Sequence, residues 1–280
     1  MSLIKRVSSV MAEIAPLALA DSSWDNVGVL VESPDSNKTN KVMLTIDLTS
    51  EVMEECIKRN AEVILSYHPP IFSSMKRLTL RDEKQKIILR TIRAGMSIYS
   101  PHTSLDAAEG GINDWLASLV DANSNVAEIS PIQPTPEAEG GKTGIGRVVR
   151  LSTPRPFDQV VESVKDGLHL PTVRIAIPDG WERNQPVTTV AICAGSGTSV
   201  FRLLKGKVDV LFTGEMGHHD VLAANAAGRA VILGEHTNTE RGYLSAVLAP
   251  LLRKKLGDKV EVLVSKKTTT RLSYGSTSHL

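Results

Sequence analysis

Two stretches of this chain set a histidine, a threonine and, four residues after the histidine, a carboxylate: His102 and Asp106 in SPHTSLDAA, and His236 and Glu240 in GEHTNTERG. Imidazole and carboxylate are donors that divalent metals take, and hydrolysis at an electrophilic carbon or phosphorus is chemistry such ions serve. Two further residues of these kinds end apolar runs, His68 after AEVILSY and Glu215 in VDVLFTGE. Three imidazoles with the two paired carboxylates are too many ligands for one tetrahedral zinc and suit two ions bridged by carboxylate. With nitrogen and oxygen donors and no thiolate, Zn, Fe, Mn, Co and Ni are all admissible. One His-x-x-x-Asp match alone means little, because it arises by chance. Concentration means more: of seven histidines, five (His68, His102, His218, His219 and His236) follow predicted strands, as convergent ligands would.

The elements that must position these residues read as an α/β fold. In KVMLTIDL, AEVILSY and MSIYS, residues 41–48, 61–67 and 96–100, apolar runs predict strands; SEVMEECIKRN, LRDEKQKIILRTIRAG and GINDWLASLVD have helical spacing. From residue 188 the same order returns: TTVAICAG, VDVLFTG and AVILGE as strands, alternating with TSVFRLLKG, HHDVLAANAAG and a long helix RGYLSAVLAPLLRKKLG. The expectation is two related βαβ-type halves with largely parallel sheets. In such sheets ligands sit beyond the carboxyl ends of the strands. In the register of the repeat AEVILSYH corresponds to VDVLFTGE, so His68 falls opposite Glu215, and a metal centre between the halves is expected.

Residues 1–125 are read as the first half, 126–187 as a variable middle insertion and 188–280 as the second half. NSNVAEISPIQPTPEAEGGKTGIG is rich in Pro, Gly, Ser and Glu and reads as loop; RVVRLSTPRPFDQVVESVKDGL adds a strand and a helix. The polar tail KKTTTRLSYGSTSHL is expected to fray. At the other end Leu3, Ile4, Val7, Val10, Met11 and Ile14 fall at helical spacing, and Glu13 and Pro16 interrupt any signal-like core.

Across 280 residues, hydrophobic residues make up 41% and charged residues 22%, a composition with apolar surface enough for a core. The formal net charge of +1 argues against direct nucleic-acid binding. No apolar run is long enough for a membrane span. The run Arg253-Lys254-Lys255 sits among leucines and reads as the exposed side of a helix. Cys56 and Cys193 lie far apart in apolar contexts and read as reduced thiols of an intracellular protein. Cytoplasm is the default compartment, with nucleus and mitochondrion left open.

WDNVGVLV at 24–31, SYHPPIF at 66–72, PHTSLDAAEGGINDWLA at 101–117, TGEMGHHDVLAA at 213–224 and GEHTNTERGYL at 234–244 resemble the family of NGG-one-interacting factor three, whose members also carry the name GTP cyclohydrolase I type 2 homologue. The resemblance covers both halves and leaves the middle least constrained. It implies a dinuclear metal site with His68, His102, Asp106, His236 and Glu240 as ligands. The family's adjacent histidine pair has Tyr67 as its first member here, similar to eukaryotic members. A neutral phenol with a pKa near 10 is a poor substitute ligand, which weakens the second site. The resemblance also implies a homo-hexamer, a trimer of dimers, and, through the family name, a transcriptional adaptor as partner. The middle segment is too short for the inserted domain of some bacterial members.

Several features stay open between chemistry and architecture. His218 or His219 could shuttle a proton beside the metals, or simply start the following helix. Glu215 could hold a ligand imidazole from behind, or be a charge at a helix N-terminus. AICAGSGTSVF could present amides to phosphate, but lacks both the Walker and the full dinucleotide pattern, so a tight turn is preferred and a dehydrogenase-like binder is excluded. Asp25 or Asn26 could orient substrate, and Trp24 line the cavity or pack in the core.

Two functions are carried forward. The first is a metal-dependent hydrolase acting on a nucleotide-derived or phosphoester-like substrate; nothing in the sequence reads guanine. The second is a non-enzymatic interaction or scaffold protein linked to transcriptional regulation, its metals structural or sensing.

Overall fold

Strands buried on both faces need helices on both sides of their sheet, and the residues of this chain supply them. The computed structural model describes residues 1–120, 126–135 and 141–267. The frayed tail expected beyond residue 267 and the Pro- and Glu-rich tip of the middle loop lie outside the described residues.

In chain order the first elements are α1 (Leu3–Ile14), β1 (Gly28–Val31), β2 (Lys41–Thr45), α2 (Ser50–Arg59), β3 (Val63–Ser66), α3 (Glu83–Arg93), β4 (Ser97–Ser100), α4 (His102–Ala107) and α5 (Ile112–Val120). Then come β5 (Val126–Ser130), β6 (Gln133–Pro134), β7 (Gly144–Ile145), β8 (Arg147–Pro156), α6 (Phe157–Gly167) and β9 (Arg174–Ala176). The remainder is β10 (Pro186–Ser196), α7 (Thr198–Phe201), β11 (Val210–Glu215), α8 (His218–Ala226), β12 (Ala230–Leu233), α9 (Asn238–Tyr243), α10 (Ala249–Leu256) and β13 (Glu261–Val264).

The first sheet has the order β1-β4-β3-β2-β13, all parallel except β1. The second has the order β5-β8-β10-β11-β12-β9, with β10, β11 and β12 parallel and the other pairings antiparallel. Parallel pairing therefore holds for the first sheet and the centre of the second. The stretch 126–187 supplies the second sheet with β5, β8 and β9, which is where its antiparallel edges originate.

The repeated order is visible in three adjacent parallel strands per half, β2-β3-β4 and β10-β11-β12, each set followed by a short helix, α4 or α9. Three local differences from the sequence reading have physical causes. His102 and Asp106 lie on α4 rather than in an open turn, so spacing of four places both on one helical face. The helix expected over 241–257 divides into α9, a π-helical segment Leu244–Leu248 and α10; Pro250, which has no N–H for the preceding turn, falls at the start of α10. Beyond α10 the chain crosses to the first sheet, where β13 pairs in parallel with β2, a long-range partner that a four-residue apolar run does not announce.

Side chains alternate between layers as strand geometry requires. Val42, Leu44, Val63 and Leu65 enter one large core with Val190, Ile192, Val210 and Phe212 of the second sheet; α1, α5, α6 and α10 contribute to the same core. Met43 and Ile64 face outward beneath α2 and α3, while Ala191, Cys193 and Leu211 face outward with residues of α7 and α8. The buried face of α1 carries Leu3, Ile4, Val7 and Met11, as its spacing predicts. Arg253, Lys254 and Lys255 are exposed on α10.

Candidate metal centre

His68 stands two residues beyond β3, and the register Thr45↔Ser66 brings Asp47, two residues beyond β2, alongside it. Its Nδ1 lies 2.9 Å from Asp47 Oδ1. His236 follows β12 after Glu235, which has φ of +68°, and its Nδ1 lies 2.9 Å from Glu215 Oε1. His102 opens α4, and its Nδ1 lies 2.7 Å from Asp25 Oδ1. Asp25 is held in turn, because its Oδ2 accepts from Thr103 N at 3.1 Å and Thr103 Oγ1 at 2.5 Å. Each imidazole thus has its own carboxylate at Nδ1, an arrangement that fixes ring orientation and leaves Nε2 as the donor to a metal.

Glu240, one turn into the segment after His236, is 1% exposed. Its Oε1 lies 3.3 Å from His236 Nε2 and 3.5 Å from His68 Nε2. The buried Oε2 has no hydrogen-bond partner among the described residues. One ligand atom from each of these three residues falls within 4.8 Å of the others. Asp106 faces the same space, where Tyr67 Oη donates to its Oδ1 at 2.5 Å. Ring centroids place His68 5.4 Å from His236 and 5.5 Å from His102. All five predicted ligands and Tyr67 line one cavity of about 410 Å³. A larger cavity of about 810 Å³ meets the same three imidazoles and extends past Asp47, Phe72, Lys84 and Ile87.

Burial and mutual attraction shift the charged groups of the cluster strongly. Burial disfavours a charged His68, yet hydrogen bonds and attraction from Asp47 and Glu240 outweigh it and lift its pKa to about 10. The hydrogen bond to Glu240, with that to Glu215, lifts His236 to about 9 despite burial. Burial pushes Asp106 up to about 6, only partly offset by His102 and the Tyr67 hydroxyl. Burial also raises Glu240, but His236 and His68 more than reverse this and hold it below the usual carboxylate range. Tyr67 is driven well above its ordinary value by burial, then by Asp106 and Glu240. It is a neutral hydroxyl, not a phenolate donor.

Gly195 explains the glycine-rich turn. Its φ is +61°, and a Cβ there would stand 2.8 Å from Glu240 Oε1 and 2.9 Å from His236 Nε2. Glycine lets the backbone close one wall of the cavity. The amides of Ala194, Gly195 and Gly197 are bonded to Asn113 Oδ1, Thr239 Oγ1 and Thr213 Oγ1, each at 2.9 Å. These donors serve the fold rather than a phosphate.

The remaining expected site residues divide. Glu215 lies behind His236, outside both cavities. His218 and His219 are exposed at the start of α8, with ring centroids 5.3 Å apart, and line neither cavity. The structure thus does not bring them to the imidazole cluster; β11 ends before it, and the helix that follows points their side chains to solvent. Asp47 had no assigned role in the sequence reading; its position just beyond a parallel strand was the available signal. Of Asp25 and Asn26, the two residues that could orient substrate, Asp25 holds His102 at Nδ1 and Asn26 Nδ2 donates to the Ile71 carbonyl. Cys56 and Cys193 are buried free thiols whose pKa values are raised by burial, which disfavours the thiolate form.

Known proteins resemble this chain along most of its length. The NGG1-interacting factor 3 of Saccharomyces cerevisiae is 40% identical over 262 residues, covering 90% of each chain. A Schizosaccharomyces pombe protein, Protein NIF3 homolog, is 39% identical over 269 residues, covering 93% of this chain and 94% of its own. Among solved structures, the Staphylococcus aureus hypothetical protein SA1388 shares the fold with a TM-score of 0.79 at 24% identity, covering 97% of this chain and 98% of its own. The family model described as Duf34/NIF3 (NGG1p interacting factor 3) matches residues 2–271, and the chain belongs to that family.

Proposed function

We propose that the protein binds divalent metal between its two halves and acts as a metal-dependent hydrolase. The observation that carries this is the shared arrangement of three imidazoles, each with Nδ1 satisfied by a separate carboxylate. The unpartnered, buried Oε2 of Glu240 supports it, since such an oxygen is costly to keep unless a cation completes it. His68, His236 and Glu240 would hold one ion; His102 and Asp106 would hold a second, with Tyr67 competing for Asp106. The donor set admits Zn, Fe, Mn, Co or Ni. Bound there, the metal would supply Lewis acidity and an acidified water.

The chain's own residues provide the rest of the chemistry. Asp25, Asp47 and Glu215 keep their imidazoles in the tautomer with Nδ1 protonated, and so keep Nε2 available as a lone-pair donor. Asp106, which burial lifts to about 6 without metal, would give up its proton on binding the ion. The cavity of about 810 Å³ gives a nucleotide-derived or phosphoester-like substrate access to the imidazole cluster from the side of Lys84.

A second reading is an interaction or scaffold protein with structural or sensing metals. The bond from Tyr67 to Asp106 favours it, because it takes one oxygen of a ligand carboxylate. The yeast relative's name points to an NGG1-like adaptor as partner. In either case cytoplasm or nucleus is the proposed compartment and a trimer of dimers the proposed assembly.

Elemental analysis of gently purified protein beside a His102→Ala/His236→Ala variant tests the metal centre. About two ions per chain, lost in the variant while the fold persists, would support it and justify a substrate screen. No metal in either, even after supplementation, would sink the hydrolase.

A further inference from the structure

Apolar side chains kept in water beside a polar site mark a surface with an occupant. Trp24 and Phe72 are 50% and 47% exposed, the Phe, Trp or Tyr side chains left most open among the described residues. They are not scattered. Their ring centroids lie 5.9 Å apart with planes tilted by 49°. Each also meets the ring of His102 near edge-on, at 5.9 Å for Trp24 and 6.4 Å for Phe72. Phe72 lines the larger cavity and Trp24 the smaller, so the pair stands beside the imidazole cluster that both cavities share.

The loops bearing these rings are tied to each other and to the site. Asn26 Nδ2 donates to the Ile71 carbonyl at 2.5 Å. The Asp21 amide donates to Thr103 Oγ1 at 3.1 Å, and Asp25 holds both His102 and Thr103. Aromatic surface fixed before a ligand arrives loses little conformational entropy on binding. On the larger cavity's wall, Leu48, Pro70 and Ile87 extend the apolar surface from Phe72; its charged lining is Lys84 with the carboxylates of Asp47, Glu51 and Glu83, so an anion's place is at the imidazole cluster.

We propose that Trp24 and Phe72 form a platform for a planar aromatic or heteroaromatic ring carrying an anionic substituent. The ring stacks on one member of the pair and meets the other, tilted by 49°, at its edge, and the substituent reaches the imidazole cluster. This rests on the metal-centre reading for the destination of the anionic group, but the stacking itself depends only on the two rings.

Calorimetric titration of the metal-supplemented full chain with 2-naphthoate and with its saturated counterpart, decahydro-2-naphthoate, isolates the ring face at equal charge. The naphthoate is expected to bind about tenfold more tightly, as an aromatic contact predicts. A Trp24→Leu/Phe72→Leu variant keeps apolar volume at exposed positions and should bring the two acids to equal affinity, with metal content and sedimentation coefficient unchanged. Equal affinities in the unaltered protein, binding of neither acid, or a preference that survives the double substitution would each overturn the platform. So would a changed sedimentation coefficient in the variant, which would assign the pair to contact with a second copy. Metal content measured on the same samples separates the two ideas: ring preference without metal supports the platform while removing the metal centre.

Discussion

Glu240 Oε1 lies 3.3 Å from His236 Nε2, and the same oxygen lies 3.5 Å from His68 Nε2, which comes from the other sheet. One carboxylate thus faces imidazoles from both halves while its second oxygen has no partner among the described residues. Replacing Glu240 by Gln keeps shape and removes charge. Metal content should fall at least tenfold and His68 should titrate at lower pH, since Glu240 is one of the groups that raise it. An unchanged metal content by elemental analysis would remove Glu240 from the ligand set.

Metal uptake should depend steeply on pH. Without metal, His68 and His236 titrate near 10 and 9, so both are protonated at neutrality and must lose protons to bind a cation. Affinity should rise with pH by up to about tenfold per unit for each proton displaced. The sign for stability is the reverse. Folded pKa values above the unfolded 6.5 mean that these ion pairs stabilise the metal-free protein fully below pH 6.5, and that this contribution is lost as pH rises toward 9 to 10. Proton release on zinc addition in weak buffer, and thermal melts of the metal-free protein across this window, check both. A pH-independent affinity would contradict the assignment.

Gly195→Ala should damage the proposed centre without replacing a ligand residue. The added Cβ would stand 2.8 Å from Glu240 Oε1 and 2.9 Å from His236 Nε2, at a φ of +61°. The backbone conformation alone should cost about 1–2 kcal/mol. Metal affinity should fall as well, because both contacts are donor atoms. A variant that melts as the unaltered protein does and binds metal normally would show that the turn can move away from the site.

The carboxylates behind the imidazoles should matter almost as much as the ligands. Asp25→Asn or Asp47→Asn leaves an oxygen to accept from Nδ1 but removes the negative charge, and losses of about 10–100-fold in metal affinity are expected for such partners. The two replacements should act separately, through His102 and His68. Metal titrations of the two single variants and the double variant test this, and normal affinity in both single variants would mean the pairs are structural only.

What was legible in the sequence was what short motifs carry. His102 with Asp106, and His236 with Glu240, announce themselves by spacing, and strand-end placement gathers them with His68. Of the imidazoles' partners, Glu215 behind His236 was among the sequence's alternatives, whereas Asp25 and Asp47 were not legible as partners, because His102 and Asp25 are 77 residues apart and His68 and Asp47 are 21 apart. Such bonds depend on strand register and loop path, which local patterns do not encode. The same holds for β13, whose pairing with β2 closes the chain across more than two hundred residues. Gly195 shows the converse: its residue type was visible, but whether it served a turn or a close approach depended on what stood opposite.

Tyr67 bears on how complete the proposed second metal site would be. Its hydroxyl donates to Asp106 at 2.5 Å, and burial keeps it protonated far above neutrality. It therefore occupies an oxygen that a metal would otherwise take, without offering an anionic donor in return. Tyr67→His replaces a competing donor by a potential ligand, and should tighten binding of the second ion. Tyr67→Phe frees the same oxygen but supplies no ligand, and leaves Asp106 buried with one bond fewer, at a cost of about 1–3 kcal/mol in the metal-free protein. In that variant the Asp106 pKa should rise further, because the Tyr67 hydroxyl was one of the groups holding it down. Metal added to Tyr67→Phe should recover the lost stability if Asp106 is a ligand. A melt that metal does not shift relative to the unaltered protein would place Asp106 outside the centre.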